Sequence, residues 1–216
     1  MTIAGTERPV PYLDHIVWAA PDLATGVAHF ETLTGIRATP GGRHSSGGTE
    51  NALVSLGGST YLEIVAPVPG TTETGRWLSF CRASVEPRIL TYCMRAAISL
   101  DELAGREAAA GRRAEGPYDL NRRRPDGQLL SWKLLDVDTA PFDRAVPFFI
   151  DWLESPHPSA SAVGGVTLER FEVGYAEPEA LVARLRAIGV SLPVVQAPQL
   201  RFEAVLASPK GEARLS

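Results

Sequence analysis

Apolar and polar positions along this chain follow one plan, stated three times: a strand, a short break, an amphipathic helix, a glycine and a new strand. The first statement runs Leu13-Asp14-His15-Ile16-Val17-Trp18. A helix follows Pro21-Asp22, and its Leu23, Val27 and Phe30 make one apolar stripe at helical spacing before Gly35. The second runs Ile89 to Met94, then Ser99-Leu100-Asp101-Glu102, a capping box that opens a helix, then Gly111. The third runs Leu168 to Val173, then Pro178-Glu179 ahead of Leu181, Leu185 and Ile188, then Gly189. A helix end that turns into a strand needs a left-handed residue, which glycine supplies without steric cost. The three glycines lie 76 and 78 residues apart. That period exceeds those of solenoid repeats, so the chain reads as duplicated modules rather than an array.

Three strand candidates follow each of the first two glycines. In the first module they are Ile36–Thr39, Asn51–Leu56 and Tyr61–Val65; in the second, Arg112–Ala114 with a ragged continuation, Leu129–Val137 and Pro147–Trp152. Turn chemistry at Gly57-Gly58 and at Pro125-Asp126-Gly127 separates them. The pattern predicts an α+β fold of two βαβββ modules, residues 12–66 and 88–153, that superpose about a pseudo-twofold axis. Residues 70–87, with Trp77, Leu78, Phe80 and Cys81, read as a helical connector. Residues 166–216 read as an incomplete third βαββ unit, with short strands at Val194-Val195 and Phe202–Leu206. Such a piece cannot bury its helix stripe alone and should pack on the two modules or on a second copy in a homodimer.

Composition narrows the class. Hydrophobic residues make up 44% and charged residues 21% of the 216, which describes a folded chain. Net charge is −4 and the pI about 5.6, which argues against nucleic acid or an anionic membrane as partner. The 19 arginines against two lysines, Lys133 and Lys210, read as genome-wide composition. No apolar run is long enough to cross a membrane, and MTIAGTERPVPY does not resemble a secretory signal. Cys81 and Cys93 are too few for a disulfide framework, so both are expected as buried thiols in a cytoplasmic protein. Phosphate-binding, dinucleotide-binding, zinc-protease and serine-hydrolase signatures are missing.

Five motifs in order carry a resemblance: LDHIVWAAPDL, GGRHSSGGTENAL, YLEIVAP, RRRPDGQLLSW and PFFIDW. Residues 12–153 resemble the glyoxalase-like branch of the vicinal oxygen chelate superfamily, which includes glyoxalases, bleomycin-resistance proteins and extradiol dioxygenases. The resemblance implies a curved mixed sheet around a small-molecule cavity. It also implies a divalent metal held by residues on the first and last strand of each module. Carried over, the ligand positions are His15, Glu63 and Asp151, the last standing in FFIDW where Glu63 stands in YLEIV. The counterpart of His15 is Thr91, or Tyr92 in a register one residue on, and neither is a usual ligand.

One imidazole and two carboxylates suit Zn, Mn, Ni or Fe with open positions. Glu63 and Asp151 are also the candidate catalytic carboxylates, since close carboxylates in an apolar cup raise each other's proton affinity unless a cation lies between them. Glu63 in an apolar strand is costly unless paired or coordinated, whereas His15 taken alone reads more readily as a core histidine, and Glu63 and Asp151 at matched positions bring the two readings level. Arg43, His44, Arg122 and Arg124 form the expected substrate-binding rim, and Trp132 either lines the cavity or fills the core. His157 is a supplementary ligand candidate.

Two functions stay open. One is a metal-dependent lyase, isomerase or epimerase acting on a small oxygen-rich substrate through an enediolate. The other is a metal-free protein that binds or sequesters a small molecule.

Overall fold

The computed structural model describes residues 12–44, 47–124 and 126–216. The start of the chain, Ser45-Ser46 and Pro125 lie outside the described residues. The first module is β1 (Tyr12–Ala19), α1 (Leu23–Thr34), β2 (Thr39–His44), β3 (Thr49–Ser55) and β4 (Tyr61–Pro67). A connecting helix, α2 (Arg76–Ala83), leads to β5 (Arg88–Arg95), α3 (Leu100–Ala109), β6 (Ala114–Arg123), β7 (Leu129–Val137) and β8 (Phe148–Asp151). The chain ends with β9 (Thr167–Tyr175), α4 (Pro178–Ala187), β10 (Val194–Gln196), β11 (Arg201–Ser208) and β12 (Gly211–Leu215). No described helix is long and apolar enough to cross a membrane.

Local chemistry accounts for the helices. Asp22 caps α1 by accepting from Thr25 N at 2.8 Å, and Ser99 caps α3 by accepting from Glu102 N at 3.1 Å. Gly35, Gly111 and Gly189 take φ of 78°, 72° and 79°, the left-handed turn that ends each helix.

The first eight strands close into a barrel in the order β1-β4-β3-β2-β6-β7-β8-β5. In each half the first strand runs parallel to the fourth, β1 with β4 and β5 with β8, and the remaining pairs are antiparallel. The halves join where β2 meets β6, pairing His44 with Arg122, and where β1 meets β5, pairing His15 with Cys93. Alternation then divides β1 between two cores. Val17 and Ala19 belong to the cluster inside the barrel with Tyr61, Trp132, Phe148, Ile150 and Trp152. Ile16 and Trp18 belong to the outer core with α1, α3 and the C-terminal sheet.

Several boundaries differ from the sequence reading. The glycine-rich run reads as a loop, yet Gly41 and Gly42 lie within β2 and Arg122 and Arg123 within β6. Glycine weakens a strand but permits close backbone approach: a Cβ on Gly41 would overlap Asn51 Oδ1 and Arg122 Nη1. The C-terminal unit carries a fourth strand, β12, beyond the expected βαββ. Its order is β10-β9-β11-β12, so its first strand pairs with its second, unlike the two modules. This unit packs on the barrel: Phe171 and Phe202 meet Tyr92 at ring distances of 5.2 and 6.1 Å. Arg184 of α4 forms a buried bidentate pair with Glu107 of α3.

Candidate functional site

An open cavity of about 250 Å³ lies inside the barrel. Trp77 and Leu78 of α2 line it, so the connector predicted from the sequence forms part of its wall. Apolar and aromatic side chains make most of the lining, including Trp132, Trp152, Phe148 and Ile150. Polar groups converge from strands of both halves: His15 from β1, His44 from β2, Asn51 from β3, Glu63 from β4 and Arg122 from β6.

Glu63 is buried at the centre of this polar group. Its Oε2 lies 3.8 Å from His15 Nε2, and its Oε1 lies 3.4 Å from His44 Nε2. Asn51 Nδ2 donates to Oε1, while Asn51 Oδ1 accepts from Arg122 Nη1. Burial pushes the Glu63 pKa up, but the hydrogen bond and charge of His44, the charge of His15 and the Asn51 bond outweigh it and hold the carboxyl at about 2.

Behind His15 lies Asp14, fully buried. Its Oδ1 is 2.7 Å from His15 Nδ1. Its Oδ2 is 3.1 Å from Trp152 Nε1 and 3.1 Å from His157 Nε2. Burial raises the Asp14 pKa, yet the bonds to His15 and His157 bring it down to about 2. An ionised carboxylate only accepts, so Nδ1 of His15 donates to Asp14 and the ring turns its Nε2 edge to the cavity. Tyr61 stacks on the His15 ring at 4.7 Å and holds its plane. Burial and the nearby Asp14 and Glu63 charges push the Tyr61 phenol well above its usual range, so it stays protonated.

Asp151 is not part of this cluster. β8 pairs Phe148 with Cys93 as β4 pairs Tyr61 with His15. Ile150 therefore matches Glu63, and Cys93 matches His15, in place of Asp151 and of Thr91 or Tyr92. A one-residue change of register sends a strand side chain to the opposite face. The Asp151 carboxylate instead accepts from Leu153 N at 2.9 Å. Arg43 also stands apart, exposed and paired with Glu50 at 3.2 Å. Arg124 pairs with Asp126 at 3.3 Å and lines a small separate crevice, while Arg122, His44 and Trp132 do line the cavity.

Asp14 and Asn51 are the residues that sequence reasoning missed. Asn51 carried a signal, an amide in an apolar strand two positions before Leu53. Asp14 carried none, because strict alternation puts it opposite His15. The register between β1 and β5 shifts between Leu13 and His15, and this bulge swings Asp14 to its neighbour's ring.

His15 Nε2, Glu63 and His44 Nε2 have the donor chemistry of a mixed N/O site for a divalent cation, and the Asp14 bond to His15 is the support such a ligand usually has. Asp14, His15 and Cys93 also place ligand atoms within 4.8 Å of one another. That trio fits a metal poorly. Both Asp14 oxygens and His15 Nδ1 are already bonded, and burial with the Asp14 and Glu63 charges pushes the Cys93 thiol far up.

Paired βαβββ halves close around a cavity and carry a histidine and a glutamate on the first and last strands of one half. The sequence matches the glyoxalase-like domain family over residues 13–189, and the chain belongs to that family. Among solved structures, a hypothetical protein from Staphylococcus aureus aligns at 16% identity over 95% of this chain and 85% of its own, with a TM-score of 0.66. Methylmalonyl-CoA epimerase from Mycobacterium tuberculosis aligns at 18% identity over 69% of this chain and 91% of its own, with a TM-score of 0.46. No curated protein matches.

Proposed function

We propose that this protein acts on a small carbonyl compound as a lyase, isomerase or epimerase, moving a proton at the carbon beside the carbonyl. The observation that carries the reading is the ionised Glu63, flanked by His15 Nε2 at 3.8 Å and His44 Nε2 at 3.4 Å in an aromatic-lined cavity. Glu63 is the proton acceptor. Its affinity for a proton rises when a ligand displaces His44, because burial then acts with less opposition. His15, pinned by Asp14 and Tyr61, presents its Nε2 to the same space. Trp132, Trp152 and Phe148 exclude water, which strengthens each polar contact. A divalent cation bound by His15, Glu63 and His44 would polarise the ligand's carbonyl oxygen.

A second reading, metal-free binding, is favoured by Cys93 and Ile150 at the ligand positions of the second half. Metal analysis of the purified protein, with deuterium exchange into a panel of α-hydroxy and α-alkyl ketones, separates the two. The enzyme reading expects exchange that falls by about 10²-fold or more in Glu63→Gln. Tight ligand binding without metal or exchange, indifferent to that substitution, establishes the second.

A further inference from the structure

The proton-moving chemistry has no role for Arg122, yet the fold brings it to the cavity wall and buries it to 3% exposure. Among the described residues no carboxylate forms an ion pair with it. Its Nη1 donates to Asn51 Oδ1, and its Nε is buried without an acceptor. Asn51 turns its Nδ2 to Glu63, so a neutral amide stands between the two charges and neutralises neither. With Nη1 bonded to Asn51 and Nε without an acceptor, the guanidinium keeps donor capacity to spare, and a guanidinium suits charge-assisted carboxylate binding. A buried guanidinium without a counter-anion is unfavourable, and a ligand that supplies the anion relieves it. Arg122 is also the only arginine or lysine among the described residues lining the cavity. Glu63 lies one amide away and disfavours a second negative charge.

We propose that the cavity takes a monocarboxylate: a carbonyl-bearing carboxylic acid whose carboxylate docks on Arg122 and whose apolar or aromatic body lies against Trp132, Trp152 and Phe148. This names the substrate class of the site proposed above and rests on that reading for the cavity's use. The carboxylate enters as the counter-ion the guanidinium lacks, and the aromatic walls give the pair a low-dielectric setting.

Isothermal titration with benzoylformate, phenylpyruvate and 4-methyl-2-oxopentanoate, each against its neutral amide, tests the proposal. The wild type should bind at least one acid about 10-fold or more tighter than its amide, as charge-assisted hydrogen bonds allow. Arg122→Gln should bring that ratio close to one while keeping the amide affinity, and Arg122→Lys should restore part of it. Glu63→Gln should keep the preference, so the anion seat can stand even if proton transfer at Glu63 fails. The proposal is overturned if no acid binds, if the wild type does not distinguish acid from amide, or if Arg122→Gln retains the preference. Should Arg122→Gln fail to fold by circular dichroism, the wild-type ratio and its change in Arg122→Lys decide.

Discussion

Glu63→Gln should change the stability of the metal-free protein by an amount that depends on pH. The buried carboxyl is held at about 2, against an ordinary 4.5, because the contacts from His44, His15 and Asn51 outweigh burial. A fall of that size corresponds to about 3 kcal/mol of folding free energy, at about 1.4 kcal/mol per pH unit. The folded-state value lies below the unfolded one, so this stability is present above about pH 4.5 and is lost as pH falls towards about 2. Glutamine at position 63 removes the titrating group, while Asp14 still titrates in both proteins and cancels in the difference. Urea unfolding in the presence of EDTA should therefore show the gap between wild type and variant narrowing by about 2 kcal/mol between about pH 5 and pH 3. That window lies below the ordinary histidine range, which separates the effect from histidine titration. A gap constant to within about 0.5 kcal/mol across the window would refute the reasoning. It would mean that the three neighbours do not favour the ionised carboxylate in the folded state.

The Glu107–Arg184 pair, 3.0 Å at Nη1–Oε1 and almost fully buried, joins the C-terminal unit to the second half of the barrel. Glu107→Gln or Arg184→Met alone should cost about 3–5 kcal/mol in guanidinium unfolding, and replacing both with apolar residues should cost far less; additive costs would show that the two groups are not coupled. The thiols should be inert in the native protein, since burial pushes Cys81 to about 12 and holds Cys93 well above the usual thiol range. A thiol reagent at neutral pH should label neither until denaturant is added, and labelling of the folded chain would contradict their burial. Asp151→Asn should leave ligand affinity and metal uptake unchanged and alter stability by less than about 0.5 kcal/mol, because Asp151 lies outside the cavity. A loss of binding in that variant would return Asp151 to the site.

Much of the fold was legible along the chain because the signals are local. The Asp22 and Ser99 caps, the three left-handed glycines and the helix stripes each depend on residues within a few positions of one another. Strand β2 was less legible. Its two glycines resemble a loop, and their place in a strand depends on Asn51 and Arg122, which come from distant parts of the chain. In the same way β12 depends on pairing with β11, and a five-residue strand with two buried positions carries little pattern of its own.

What the sequence determined by itself is the set of modules, and the presence on β1 and β4 of a histidine and a glutamate that an apolar strand does not ordinarily carry. Only the tertiary structure decided which polar groups meet. Register placed Ile150 rather than Asp151 opposite the matching position, a single bulge turned Asp14 to His15, and barrel closure brought His44 and Arg122 from adjoining edges into one cavity. The reason is the two-residue period of a strand: the sequence lists what each strand carries, but the face each residue takes is set by hydrogen bonding to a partner strand elsewhere in the chain.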